Sequence, residues 1–136
     1  LDAITLLADA TYGLYRHDEN TFFEKMNVYF AGKGEATELA DYTQPLQDLA
    51  TVYEGKMSEN AYGKCIDWIA KALTYEMVVP TRVRLLMMMG DCLKNTGETA
   101  KAKQSYNQAF IASAGIENKA EMKQLQQMIQ QSLQGL

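Results

Sequence analysis

The spacing of small and large residues between Leu86 and Ala109 constrains this chain more than any other feature. Apolar residues recur there at intervals of three and four, the period of one face of an α-helix. The pattern consists of Leu86, Met89, Gly90, Leu93, Gly97, Ala102, Tyr106 and Ala109. Gly97 interrupts it in the way that a helix C-cap does. The pattern therefore predicts two antiparallel helices that cross closely at Gly90 and Ala102, with large residues filling the grooves around that contact.

The same order of residues resembles the tetratricopeptide repeat. In that family a large residue, an apolar and small pair and another large residue lie on the first helix, and a small, large, small series lies on the second. The resemblance covers residues 83–114, with Ala114 standing where the family often has proline. It implies an all-α fold in which antiparallel helix pairs form a right-handed stack.

Two upstream segments match fewer positions of this repeat. Cys65, Ile69 and Ala72 reproduce the small, large, small series 37 residues before Ala102 and its partners. In the helix before them, Tyr53 stands where the family has Gly or Ala. Residues 46–79 are therefore predicted to form a second helix pair. Residues 2–31, where only helical periodicity remains, are predicted to form a third.

Capping signals set the expected helix boundaries in the first half of the chain. Thr21 and Glu24, three residues apart, have the form of a capping box that opens the second helix. Residues 35–42 are expected to form a helical turn or two. Pro45 suits the first position of a longer helix that reaches about Lys56, and Ser58 suits the N-cap of the next.

The C-terminal segment is rich in Gln but keeps a clear helical period. Asn118 and Glu121 are spaced as in a capping arrangement, and the apolar residues Leu125 and Ile129 continue one stripe. This predicts an amphipathic closing helix from Asn118 to about Ser132. The expected architecture is one domain, residues 1–136, of about three helix pairs and a closing helix, forming part of a longer protein.

Charge and composition argue against two classes of partner. The formal net charge is −4, and no run of Lys and Arg is dense enough to follow a phosphate backbone, so nucleic acid is not an expected partner. The longest apolar run, Leu85 to Met89, is far shorter than the roughly 20 residues that cross a bilayer, so a soluble domain without membrane insertion is expected.

Few residues suit catalysis or metal binding. His17 is the only histidine and follows the first predicted helix, where we expect an exposed turn. Asp91 and Cys92 are adjacent, but Asp91 is expected to point away from the partner helix, and Cys92 lies near a helix C-terminus, which does not lower a thiol pKa. Cys65 and Cys92 are expected to be buried packing residues, with a disulfide or a reactive thiol as alternatives. No catalytic residue, metal site or cofactor is predicted.

The resemblance implies a groove-facing side on the first helix of each repeat. In the clearer repeat this side carries Arg84, Met87, Met88, Asp91 and Asn95, and in the upstream one it carries Gln47, Thr51 and Glu54. Chaperone-binding members of the family hold a C-terminal carboxylate with basic residues and asparagines, most of which this chain lacks. The expected partner is an extended or helical segment with apolar residues, with or without basic ones. The alternative is that Glu54 and Asp91 are ordinary solvated charges.

The expected function is therefore a non-enzymatic scaffold or adaptor that binds a protein segment in its groove. One alternative is a helical assembly or regulatory module that associates with itself as a homo-oligomer. Another is a domain that binds or hydrolyses a small molecule through His17, Asp91 or Cys92. Fold alone does not decide between these functions.

Overall fold

The computed structural model describes residues 2–136 and is all-α within that range, without a strand. The helices are α1 (Ala3–Tyr15), α2 (Glu19–Lys33), α3 (Leu39–Tyr53), α4 (Glu59–Ala72), α5 (Val79–Asn95), α6 (Thr99–Ser113) and α7 (Lys119–Gln134), with a 3-10 turn at Gly34–Ala36. The all-α prediction is thus confirmed. Contacts group the chain into two units, one ending at Met57 and one spanning Ser58–Leu136.

The first unit is built on the hairpin of α1 and α2. Leu6, Ala10 and Leu14 lie on the buried side of α1, and Phe22 and Met26 meet them from α2. The aromatic pair Phe22 and Phe23 adds an edge contact with ring centroids 5.2 Å apart. The predicted hairpin at residues 2–31 therefore forms, although no repeat motif marks it.

Two helix starts differ from the sequence prediction. α2 begins at Glu19, before Thr21, because the Asp18 carboxylate accepts hydrogen bonds from both the backbone N–H and the hydroxyl of Thr21 and so caps the helix earlier. α3 begins at Leu39 because Glu38 and Asp41 form the capping box. Pro45 consequently lies inside α3, where it removes one backbone hydrogen bond instead of opening the helix.

The second unit is built on the hairpin of α5 and α6, which carries the predicted repeat pattern. Val83, Leu93, Ala102, Tyr106 and Ala109 are buried together in one core cluster. That cluster extends to α7 through Leu125 and Ile129 and includes Ile116 from the preceding turn. Leu86 and Met89 are half-buried and pack against it.

α4 and α7 flank this hairpin. α4 is capped by Ser58 and packs against α5, while the Arg82 guanidinium of α5 donates to the carbonyls of Leu73 and Tyr75 just beyond α4. α7 starts where the Asn118 side chain accepts from the Glu121 N–H, as predicted. Gln126 then donates to the buried hydroxyl of Ser113 at 2.8 Å, which joins α7 to the end of α6.

The hairpins α1–α2 and α5–α6 turn in the same way. Each has a three-residue connection whose middle residue has a positive φ, 57° at His17 and 80° at Gly97. In each, the N–H of the third residue donates to the carbonyl five residues earlier, from Asp18 to Gly13 at 2.8 Å and from Glu98 to Leu93 at 2.9 Å. This is the longer hydrogen bond of a Schellman motif. The two turns therefore reverse the chain with the same local geometry despite different sequences.

Candidate functional site

Gly90 lies where the Tyr106 side chain of α6 packs directly against α5. A Cβ atom placed on Gly90 would lie 2.5 to 2.7 Å from three carbons of the Tyr106 ring. Tyr106 is 1% exposed and is buried in the core cluster of the second unit. Gly90 is thus required by packing.

Asp91 differs from its sequence prediction. Its side chain does not point away from the partner helix, because the Tyr106 hydroxyl of α6 donates a hydrogen bond to the Asp91 carboxylate. The residue keeps an exposed surface, yet partial burial of the carboxyl group raises the pKa of Asp91, against the opposing effect of the Tyr106 hydrogen bond. Burial and the same hydrogen bond raise the pKa of Tyr106. The pair anchors α6 to α5.

Most predicted groove residues on α5 already have partners within the second unit. Arg84 forms a 3.1 Å ion pair with Glu121 of α7. Met87 is half-buried against the core cluster, and the Asn95 side chain donates to the carbonyl of Asp91. Met88 is half-buried. The structure therefore brings these residues onto a surface that α7 partly covers.

The predicted groove residues on α3 are more accessible. Gln47, Thr51 and Glu54 are all exposed. The Thr51 hydroxyl donates to the carbonyl of Gln47 on its own helix, and Glu54 caps the end of that helix in a left-handed conformation with φ of 49°. This face of α3 is open in the first unit.

The two cysteines are free and buried, as expected for packing residues. The Cys65 thiol of α4 neighbours the Cys92 thiol of α5. The neighbouring Cys65 thiol and burial raise the pKa of Cys92, which opposes formation of the nucleophilic thiolate. His17 is exposed in its turn, where its ring meets the edge of Tyr53 with centroids 4.8 Å apart.

A cleft of about 270 Å³ lies in the first unit between α1 and α3, and residues of α2 also line it. Its apolar lining comprises Leu7, Ala10, Phe22, Met26, Tyr29, Ala40 and Pro45. Most of these side chains are nearly buried in the unit's core, whereas Leu7 is 39% exposed. The sequence prediction missed this site, because its residues come from three helices and the expected start of α3 at Pro45 left Ala40, Asp41 and Gln44 outside that helix.

Polar residues form the rim of the cleft, mainly on α3. Asp41, Gln44 and Asp48 lie on that side, and Thr11 lies on α1. The residue Asp41 had a sequence signal, since Glu38 and Asp41 stand three apart like a capping box. The α3 side of the cleft therefore carries two carboxylates, Asp41 and Asp48.

Asp41 is fixed by three donors. The Tyr29 hydroxyl donates to it at 2.5 Å, the Lys33 ammonium at 3.0 Å and the Glu38 N–H at 2.8 Å. Burial alone would raise the pKa of Asp41, but these hydrogen bonds outweigh it and hold the pKa below its usual value. Asp41 therefore joins α2 to α3 and shapes the wall of the cleft.

Charge is distributed unevenly between the two units. Residues 1–57 contain ten Asp and Glu but four Lys and Arg, a formal charge of −6, whereas residues 58–136 contain seven and nine, a formal charge of +2. The cleft thus lies in the strongly acidic part of the chain. Such a field attracts cationic partners and accelerates their association.

Protein-family models, curated proteins and solved structures were compared with this chain, and none matches it. Within residues 2–136, no helix is both long and apolar enough to span a bilayer. In the same range, no three side chains among His, Cys, Asp and Glu are grouped as metal ligands.

Proposed function

We propose that the chain is a protein-interaction module of the tetratricopeptide-like type, which binds a segment of a partner protein. The observation that carries the proposal is the cleft between α1 and α3. Its volume of about 270 Å³ is just below the range of about 300 to 1,000 Å³ for small-molecule sites, so it suits one or two anchoring side chains of a peptide better than a cofactor. Anchors of this kind supply most of the binding energy in many interfaces.

The repeated turn supports the tetratricopeptide-like assignment. In both hairpins, a small residue lies eight residues before the third residue of the turn, Ala10 before Asp18 and Gly90 before Glu98. Both small residues are buried in their hairpins. The same hairpin geometry at two places along the chain is what a repeat architecture requires, since each repeat is one supersecondary unit.

A peptide library tests this function. Random 12-residue peptides displayed on phage would be selected against the chain, and enriched peptides would be synthesised and measured by fluorescence anisotropy. Thr11→Trp fills the cleft from its exposed rim without changing charge, and Val28→Trp on α2 places the same bulk at an exposed position outside it. We expect Thr11→Trp to weaken binding about tenfold or more and Val28→Trp to leave it unchanged.

Two results would overturn the proposal. One is a selection that enriches no peptide over the starting library. The other is a set of enriched peptides that bind Thr11→Trp as tightly as the unsubstituted chain, because binding would then lie elsewhere. Circular dichroism of both Trp variants establishes that each is folded before binding is compared.

Self-association is a second candidate, favoured by the outer side of α1. Ile4 is 82% exposed and Tyr15 68% exposed, and their spacing places both on one side of the helix, with Tyr12 beside them at 65%. Exposed apolar patches of this kind often mark contacts between proteins. Light scattering over a concentration series, with Tyr15→Lys as the variant, tests it. A mass that stays at that of one chain at all concentrations excludes this candidate.

A further inference from the structure

We infer that the cleft between α1 and α3 selects a partner segment in which an apolar anchor is flanked by lysine or arginine, and that Asp48 is the residue that receives the cation. This inference rests on the proposed function, since it names the chemistry of the segment that the same cleft would bind. It commits to a peptide segment of another protein as the occupant.

Of the two carboxylates on the cleft wall, Asp41 is already occupied. Tyr29, Lys33 and the Glu38 N–H all donate to it, and Lys33 neutralises its charge at 3.0 Å. Its side chain is 13% exposed. A ligand cation would have to displace Lys33 to reach it, so Asp41 serves as part of the wall.

Asp48 is in a different position. It lies two helical turns after Asp41 on the same side of α3, is half-exposed and accepts a 3.1 Å hydrogen bond from the Gln44 side chain. Within residues 2–136, no Lys, Arg or His nitrogen lies within the 4.0 Å limit of an ion pair with it. A carboxylate has about four acceptor sites, so one amide donor leaves room for a guanidinium or ammonium group.

The apolar side of the cleft is within reach of the same ligand. Leu7 and Asp48 both line the cleft, from α1 and α3 respectively. A long basic side chain can bury its methylene groups along apolar surface while its charge reaches a carboxylate. The charge of −6 on the first 57 residues favours approach of such a segment and disfavours an acidic one.

Three matched peptide sets test the inference. Each set keeps the apolar anchor of a peptide enriched in the library selection. At the flanking positions the basic set carries Lys and Arg, the Gln set carries Gln, and the Glu set carries Glu. Binding is measured by fluorescence anisotropy at about 0.05 M and about 0.5 M salt. We expect the basic set to bind about threefold to tenfold tighter than the Gln set, to lose that advantage at high salt, and the Glu set to bind weakest.

Two variants of equal charge locate the effect. Asp48→Asn should remove the advantage of the basic set, whereas Glu24→Gln, which removes an exposed carboxylate of α2 outside the cleft, should keep it. The inference is overturned if basic and Gln sets bind equally, or if both variants reduce the advantage to the same extent. In those cases loss of binding in Thr11→Trp would still uphold the cleft as the site. If Thr11→Trp also binds every set normally, the proposed function itself fails.

Discussion

The ring of Tyr106 occupies the space that a side chain at residue 90 would need. The nearest ring carbon lies 2.5 Å from the position of a Cβ atom on Gly90, a distance that real Cβ atoms essentially never show. The ring cannot easily move away, because it is 1% exposed and its hydroxyl is hydrogen-bonded to Asp91 on the facing helix. The close crossing of α5 and α6 therefore depends on the absence of a side chain at this position.

Gly90→Ala should lower the free energy of unfolding by about 1 to 3 kcal/mol through overpacking, even though Ala is the better helix former. Gly63→Ala is the matched control, because Gly63 lies inside α4 of the same unit and a Cβ there would meet no atom within 4 Å beyond its chain neighbours and the nearby backbone of its own helix. Gly63→Ala should raise the free energy of unfolding by about 0.5 to 1 kcal/mol. Urea titrations measure both. Equal changes in the free energy of unfolding for Gly90→Ala and Gly63→Ala would contradict the predicted register of α5 against α6.

More of the fold than of the cleft could be predicted from the sequence. The pattern from Leu86 to Ala109 contains its own partner helix, so periodicity and the small residues were enough to predict the crossing at Gly90. The predicted direction of the Asp91 side chain was wrong. A helical angle gives the direction in which a side chain leaves its own helix, but it does not show that the long Tyr106 side chain of the partner helix extends to Asp91.

The cleft depends on tertiary packing that no local pattern encodes. Leu7, Met26 and Asp48 belong to three helices and share no spacing in the sequence. The start of α3 was also decided by a capping box at Glu38 and Asp41, whereas the proline at Pro45 was a misleading signal. Competing local signals of similar strength are resolved only by packing.

Two buried tyrosines of the first unit should differ in how much stability they lose with the hydroxyl. Tyr29 donates to Asp41 at 2.5 Å, so Tyr29→Phe should lower the free energy of unfolding by about 1 to 2 kcal/mol. Within residues 2–136 the Tyr53 hydroxyl is buried without a hydrogen-bond partner, so Tyr53→Phe should be neutral or stabilising by up to about 1 kcal/mol. Urea titration of the two variants checks this. If Tyr53→Phe lowered the free energy of unfolding more than Tyr29→Phe does, the hydrogen bonding assigned to the two hydroxyls would be wrong.

Acid should remove the contribution of Asp41 to stability. Its pKa is lowered in the folded chain, so its stabilising effect is fully present above the unfolded value of about 3.9 and is lost as pH falls through the folded value. Asp41→Asn should therefore cost about 1 to 2 kcal/mol at pH 7. The difference from the unsubstituted chain should shrink below about pH 4. Glu24→Gln, an exposed control, should cost less than about 0.5 kcal/mol at pH 7. A difference for Asp41→Asn that stays constant down to pH 2 would exclude this role.

The left-handed residue of each hairpin turn gives the last prediction. His17 and Gly97 occupy the same place in two turns of the same geometry, with φ of 57° and 80°. Gly97→Ala should cost about 1 to 2 kcal/mol, because a Cβ is disfavoured in this conformation. His17→Asn and His17→Val both lose the ring contact with Tyr53, so their difference isolates the backbone. Val, which is branched at Cβ, should be less stable than Asn by about 1 kcal/mol or more, since Asn tolerates the left-handed region. Equal stability of the two His17 variants in urea would mean that the first turn does not impose the conformation that Gly97 adopts in the second.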